Sequence, residues 1–331
     1  MITTASLHSS VGTELLDYIS HKRTLGRNFS TQSTTLLYLD RFLCKLDKPS
    51  SDLTAETFKQ WCQSMDPVSS TTKLSRIRTV WNFCLYRRRR NPTCFVPDPT
   101  QFPKLSPAVR PYILSDREIS DLLQYSGSIS VSARSPLRAS TTRLAIILLY
   151  TTGLRRGELL RLTIADYHSL EQTLTIRSSK FHKSRILPLP KDVALEVDVF
   201  LDKYKTLYPR VPDHSPLIFS PYCGGRAYSS TQLRKNLHIL FELAGTKKDD
   251  GRLPRIHDFR FSFAVNALLR WYRDGANVQT KLPFLAAYMG HISICSTYYY
   301  LRLIEPVASL ASSAFAAHYG ALIQEVEGGG Q

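Results

Sequence analysis

The stretch TTRLAIILLYTTGLRRGELL, residues 141–160, sets the architecture of the chain. Its first part, residues 141–151, is apolar on nearly every side, and residues 144–150 form the longest purely apolar run in the protein. That run is far short of the roughly 20 residues that span a bilayer, so it reads as a helix at the centre of a core. Gly153 breaks the pattern, and Gly157-Glu158-Leu159-Leu160 resumes it. Arg155 therefore stands just past a glycine break at the start of a helix, with Glu158 three residues on, able to reach back along the same face. A guanidinium suits two-pronged binding of phosphate, but taken alone a surface Arg-Glu ion pair is the commoner meaning of such a segment.

Downstream the period changes. Leu174-Thr175-Ile176 and Arg185-Ile186-Leu187 are short β-like runs on either side of a basic loop, residues 178–184, and together they read as a hairpin. Helical periodicity returns for residues 193–204, 231–243 and 261–272. A final helix carries Val307, Leu310, Ala311, Ala314, Phe315 and His318 on one stripe. Three polar groupings punctuate this region. His257-Asp258-Phe259-Arg260 places an imidazole and a guanidinium three residues apart, together if the segment is helical. Gly290-His291 follows, and then the run Tyr298-Tyr299-Tyr300.

Upstream, Ser115 and Glu118 form a capping box that opens a helix over Ile119, Leu122 and Leu123. Before it lie Pro92, Pro97, Pro99, Pro103, Pro107 and Pro111, a density that favours a stiff extended connector. Residues 11–90 read as four helices, with Leu36, Leu39, Leu43 and Leu46 on one stripe and Leu74, Ile77, Trp81, Cys84 and Leu85 on another. Thr54 is the expected N-cap of the helix carrying Phe58 and Trp61, and Asn91-Pro92 ends the last helix. The expected organisation is a helical domain over residues 1–91, a linker over 92–111 and a second domain over 112–331. The fold class is mainly α with a small β-sheet (α+β).

Among the 331 residues, 43 Lys and Arg face 27 Asp and Glu, a net charge of +16 that attracts polyanions. Nucleic acid is the leading partner. In the first domain Lys73, Arg76, Arg78 and the run Arg87, Arg88, Arg89, Arg90 crowd one helix and its end. Four adjacent arginines fan around a helix and are expected to reach phosphates on both sides of a groove. The six cysteines occur without a CxxC or a Cys/His cluster, so neither a metal site nor a disulfide framework is expected. The amino terminus MITTASLHSS has no basic stretch followed by an apolar run, so no secretory signal is visible and a cytoplasmic location is expected.

In order and spacing, TGLRRGEL, HDFR and GHISICSTYYYL, with Lys180 in the hairpin, resemble the tyrosine recombinases, also called phage-integrase-type recombinases. The resemblance covers the whole chain, and WYRDGANVQTKLPFLAAYMGH is similar to the transposon-encoded branch. It implies a helical DNA-binding domain joined to a catalytic domain, and a site made of Arg155, Lys180, His257, Arg260, His291 and Tyr300. Arg155 and Arg260 would clamp the non-bridging oxygens, His291 would donate a further hydrogen bond, and Tyr300 would attack to give a 3′-phosphotyrosine. His257 would assist as proton acceptor or donor, Lys180 would protonate the leaving oxygen, and Glu158 would orient the basic groups. No cofactor and no metal are implied.

The sequence also departs from the family pattern. Phe261 stands where many relatives carry a second basic or imidazole residue, and the stretch from Arg260 to His291 is longer than in the common phage enzymes. Ser178-Ser179-Lys180-Phe181-His182-Lys183 lacks the glycines usual beside the lysine, which leaves Lys183 as the other reading of the acid. The expected partner is double-stranded DNA, bound by a homo-tetramer on paired sites, with companion recombinases or accessory proteins open and no membrane. The final helix would contact a neighbouring protomer. Two other readings are a type IB topoisomerase-like enzyme and an inactive DNA-binding accessory factor of the same fold.

Overall fold

The computed structural model describes residues 7–46, 52–66, 68–104, 110–177, 184–220 and 226–291, together with Thr297 and Tyr300. The chain divides into two compact units, residues 1–109 and 110–331.

In the first unit, α1 (Gly12–Thr24), α2 (Ser30–Cys44), α3 (Ala55–Gln63) and α4 (Ser70–Arg90) enclose one apolar core. Leu36, Leu39 and Leu43 of α2 are buried as their spacing requires. Thr54 caps α3: its hydroxyl accepts from the Thr57 amide at 3.2 Å, and the Thr54 amide donates back to the Thr57 hydroxyl at 2.9 Å. Asn91 turns extended before Pro92 and ends α4. The inward stripe of α4 is rotated from the expected one. Val80, Phe83 and Arg87 are buried with Leu74, Ile77 and Cys84, whereas Trp81 and Leu85 are only partly covered. Beyond α4, Phe95, Val96 and Phe102 pack against the same core, so part of the proline-rich stretch serves as a cover for the first unit.

The second unit is built around α6 (Arg138–Thr152), which buries Leu144 to Leu149 without interruption. Around it stand α5 (Asp116–Tyr125), α8 (Lys191–Leu207), α9 (Ser230–Leu243) and α10 (Ile256–Arg273), with the short α7 (Arg156–Leu159) after it and α11 (Val278–Met289) before the C-terminal segment. The Ser115–Glu118 capping box opens α5. The expected hairpin forms as β2 (Thr173–Ile176) and β3 (Arg185–Pro188), paired antiparallel with Leu174 opposite Leu187 and Ile176 opposite Arg185. Leu174, Ile176 and Leu187 face the core, while Ile186 between them is 67% exposed. A further strand, β1 (Tyr167–His168), joins β2, and β4 (Phe219–Ser220) pairs with β5 (Arg226–Ala227) in a separate two-stranded sheet. These two-residue strands carry no alternation that a sequence can display.

Two helices differ from their expected extents. The α10 helix begins at Ile256, five residues before the expected start, so His257 and Arg260 lie in its opening turns. The α11 helix was not expected, because Pro283 lies inside it and breaks the usual signal. No helix of the described residues is long and apolar enough to cross a membrane. Cys44, Cys62, Cys84 and Cys94 are free thiols.

Candidate active site

Two helix C-termini, those of α6 and α11, converge in the second unit. Gly153 closes α6 in the left-handed region at φ 60°, and a side chain there would meet the Phe263 ring at 2.5 Å. Gly290 closes α11 in the same way at φ 66°. The last carbonyls of a helix lack intrahelical partners and carry the negative end of its dipole, so they attract cations. Here three arginines from different elements supply them. Arg185 Nε donates to the Tyr288 carbonyl at 2.8 Å, Arg260 Nη2 to the Met289 carbonyl at 2.8 Å and Arg155 Nη2 to the Gly290 carbonyl at 2.9 Å.

Among the described residues Arg260 is the largest fully buried side chain, only 1% exposed. A guanidinium so placed needs a full set of acceptors. Besides Met289 it donates to the Gly153 carbonyl at 2.5 Å, to His291 Nε2 at 2.8 Å and to the Tyr300 hydroxyl. Burial, opposed by Tyr300, lowers its pKa to about 10, which leaves it cationic at neutral pH. Glu158, 3% exposed, accepts Arg155 Nη1 at 2.8 Å, the Arg155 amide at 3.0 Å, and Arg185 Nη1 and Nη2 at 3.2 and 3.0 Å. Burial alone would raise this carboxyl; the hydrogen bonds from Arg185 and from the Arg155 amide, with the Arg185 charge, hold it at about 2. Three guanidiniums thus face one carboxylate among the described residues of the cluster, an excess of positive charge suited to a phosphodiester.

His291 bridges Arg260 and Thr297, whose hydroxyl lies 2.8 Å from Nδ1. Because Arg260 is always a donor, Nε2 is the acceptor and the proton of the neutral ring sits on Nδ1. As placed, Nε2 accepts from Arg260, so the expected donation to a ligand requires that bond to give way. Burial first, then the charges of Arg260, Arg155 and Arg185, lower the His291 pKa to about 4. A depressed imidazole pKa means that the unfolded chain takes up the proton first as pH falls. The contribution of His291 to stability is therefore complete above about 6.5 and declines toward pH 4, by at most about 1.4 kcal/mol per pH unit. His257, also lowered by burial and by Arg260, acts in the same sense. Urea midpoints should drop between pH 7 and pH 5, and His291→Asn should remove part of the drop. Equal midpoints in the parent protein would mean that the folded chain accepts the proton on His291.

Tyr300 is 4% exposed, its ring stacked on His291 at 5.8 Å and 9° and edge-on to Phe261 at 5.3 Å. His257 lies at the open margin, T-shaped against the same Phe261 ring at 5.0 Å. The departure from the family pattern at Phe261 thus has a structural consequence: an aromatic ring there contacts both His257 and Tyr300. Asp258, fully buried, anchors this turn through Arg255 at 2.7 Å and Lys248 at 3.3 Å. Arg155, Glu158, Arg260, His291 and Tyr300 are brought together, with His257 beside them. Lys180, Lys183, Tyr298, Tyr299 and the expected final helix lie outside the described residues. Arg185 was missed as a site residue, since nothing local distinguishes it from other strand arginines.

In the first unit the basic list divides. Arg87 is corrected: it is 6% exposed and paired with Glu14 at 2.6 Å and Asp52 at 2.8 Å, because it continues the buried stripe one turn beyond Phe83. Lys73 pairs with Asp66 at 2.8 Å, Arg76 lies over the Tyr38 ring, and Arg90 lies over Tyr86 with Asp17 at 3.3 Å. Arg78, Arg88 and Arg89 are exposed. A cleft of about 380 Å³ adds Lys22 and Arg27 to Arg78, with Gln32 and Asn82 in its wall. The basic end of α1, His21-Lys22-Arg23, was the signal for it. Arg87→Met should cost about 2 kcal/mol in a urea melt and leave the salt dependence of duplex binding unchanged. Replacing Arg88 and Arg89 by alanine should flatten that dependence without moving the melt; the reverse pattern would restore Arg87 to the surface.

The sequence profile of the phage integrase family matches residues 113–305. A putative integrase/recombinase of Sinorhizobium fredii, y4rB, is 29% identical over 86% of this chain and 90% of its own. Among solved structures, the XerH site-specific recombinase bound to a palindromic difH substrate superposes with a TM-score of 0.61 at 21% identity, over 86% of this chain and 79% of that one. The Tn1549 transposon integrase in complex with a circular intermediate DNA gives 0.60 at 17%, over 87% and 94%. The family match spans more than half of the sequence and contains the whole arginine, histidine and tyrosine cluster, and on that ground the chain belongs to the phage integrase family, the tyrosine recombinases, enzymes that break and rejoin DNA.

Proposed function

We propose that this chain is a site-specific recombinase of a mobile element, working on double-stranded DNA through a 3′-phosphotyrosine. The observation that carries the reading is the Tyr300 hydroxyl held on Arg260 beside His291, within a cluster of excess positive charge. Tyr300 oxygen attacks the scissile phosphorus, the new P–O bond forms, and the bond to the 5′ oxygen breaks. One phosphodiester replaces another, so bond energy is conserved for rejoining. Arg155 and Arg260 stabilise the non-bridging oxygens as charge builds on them. An arriving phosphate competes for the Arg260 donors and favours a protonated His291, which then donates. His257 takes the tyrosine proton, Lys180 gives a proton to the leaving 5′ oxygen, and Glu158 orients the arginines.

Four protomers act on two paired sites, exchanging strands in sequence through a four-way junction, with the final helix contacting a neighbour. Lys22, Arg27, Arg78, Arg88 and Arg89 of the first unit contribute phosphate contacts. The likeness of residues 271–291 to transposon-encoded members supports the mobile-element role. The experiment is covalent capture: full-length protein is incubated with fragmented genomic DNA of its source, denatured, and the attached DNA is sequenced. A recurrent site joined through its 3′ phosphate is the expected result. Binding without adducts would favour the accessory-factor reading, and relaxation of supercoils with adducts at unrelated sequences would favour the topoisomerase reading.

A further inference from the structure

Arg185 is 12% exposed, and each of its three nitrogens already serves an acceptor within the protein. Nε serves the Tyr288 carbonyl, and Nη1 and Nη2 grip the two oxygens of Glu158. Glu158 in turn is held by four donors, two of them from Arg155, so its carboxylate has a single orientation. Arg155, 28% exposed, takes that carboxylate with Nη1 and the Gly290 carbonyl with Nη2, which leaves other N–H donors of its guanidinium uncommitted. The hairpin is tied to α11 a second time, by the Tyr288 hydroxyl on the Pro188 carbonyl at 3.2 Å. Space is kept for this arrangement: a Cβ on Gly290 would stand 2.8 Å from Arg185 Nη1, so the glycine before His291 makes room for Arg185 as well as supplying the positive φ.

We infer that Arg185 is a positioning residue of the DNA-cleaving site, fixing through Glu158 and the Tyr288 carbonyl where Arg155 presents its charge. The inference rests on the recombinase reading above. On this assignment Arg185 binds neither the scissile phosphate nor the nucleophile. It acts by removing the freedom of the carboxylate that Arg155 shares, and an error of about 1 Å in a charge-stabilising group is worth on the order of 100-fold in rate. Lysine cannot replace it, since one ammonium cannot span both Glu158 oxygens and the Tyr288 carbonyl.

The test is a set of single-turnover rates of adduct formation on the captured duplex at saturating DNA. Arg185→Met and Arg185→Lys should each react about 100-fold more slowly than the parent, with the half-saturating DNA concentration unchanged. In an Arg155→Lys background, Arg185→Met should add less than about a twofold further loss, because the group it positions is already gone. If Arg185→Met has no cooperative melt, Arg185→Lys carries both comparisons. Parental rates in a folded Arg185 variant, or losses that multiply in the double variant, overturn the inference and leave the recombinase reading standing. Absence of any adduct with the parent protein overturns both.

Discussion

Tyr300→Phe folds, binds duplex DNA and yields no protein–DNA adduct that survives denaturing electrophoresis. The substitution removes one oxygen from a ring that is 4% exposed between His291 and Phe261, so packing is retained. What is lost is the hydrogen bond from Arg260, worth about 1 kcal/mol in stability. The loss of reaction is complete because no neighbouring described oxygen can attack in its place: Thr297 is engaged by His291, and Tyr288 bonds the Pro188 carbonyl. Tyr298→Phe and Tyr299→Phe should keep the adduct. Denaturing gels of the captured duplex decide the matter. An adduct persisting in the Tyr300 variant would move the nucleophile to a neighbour and break the alignment on which the other roles depend.

Much of this site was legible in the sequence because its parts are local. Arg155 and Glu158 are three residues apart at a helix start, as are His257 and Arg260, and each pair announces itself through helical spacing. Gly153 was legible as a break. What could not be read is the convergence. Arg185 meets Glu158 and Tyr288 across long sequence separations, and only the β2–β3 register and the end of α11 bring them together. Arg87 failed in the opposite direction. Four consecutive arginines look alike in sequence, yet a helix must turn one of them inward, and Glu14 and Asp52 meet the one on the core side. Pro283 concealed α11, and the two-residue strands were too short to show a period.

Lys180→Ala should cleave an ordinary suicide duplex about 100- to 10,000-fold more slowly than the parent, yet cleave one with sulfur at the bridging 5′ position at nearly the parental rate. The reason is the leaving group. An alkoxide is a strong base and departs only as a proton reaches it, whereas a thiolate has a far lower pKa and leaves without help. Ile176 and Arg185 bound the connection that contains both Lys180 and Lys183, so topology alone admits either lysine as the donor. Sulfur distinguishes them, because rescue is confined to the variant that lacks the acid. Arg155→Ala should show no comparable rescue, since its charge serves the non-bridging oxygens, which are the same in both substrates. Rescue of Lys183→Ala with Lys180→Ala still slow would shift the acid to Lys183. Rescue of neither would send the proton to His257, which lies at the open margin of the site against Phe261 and has an imidazole able to carry it.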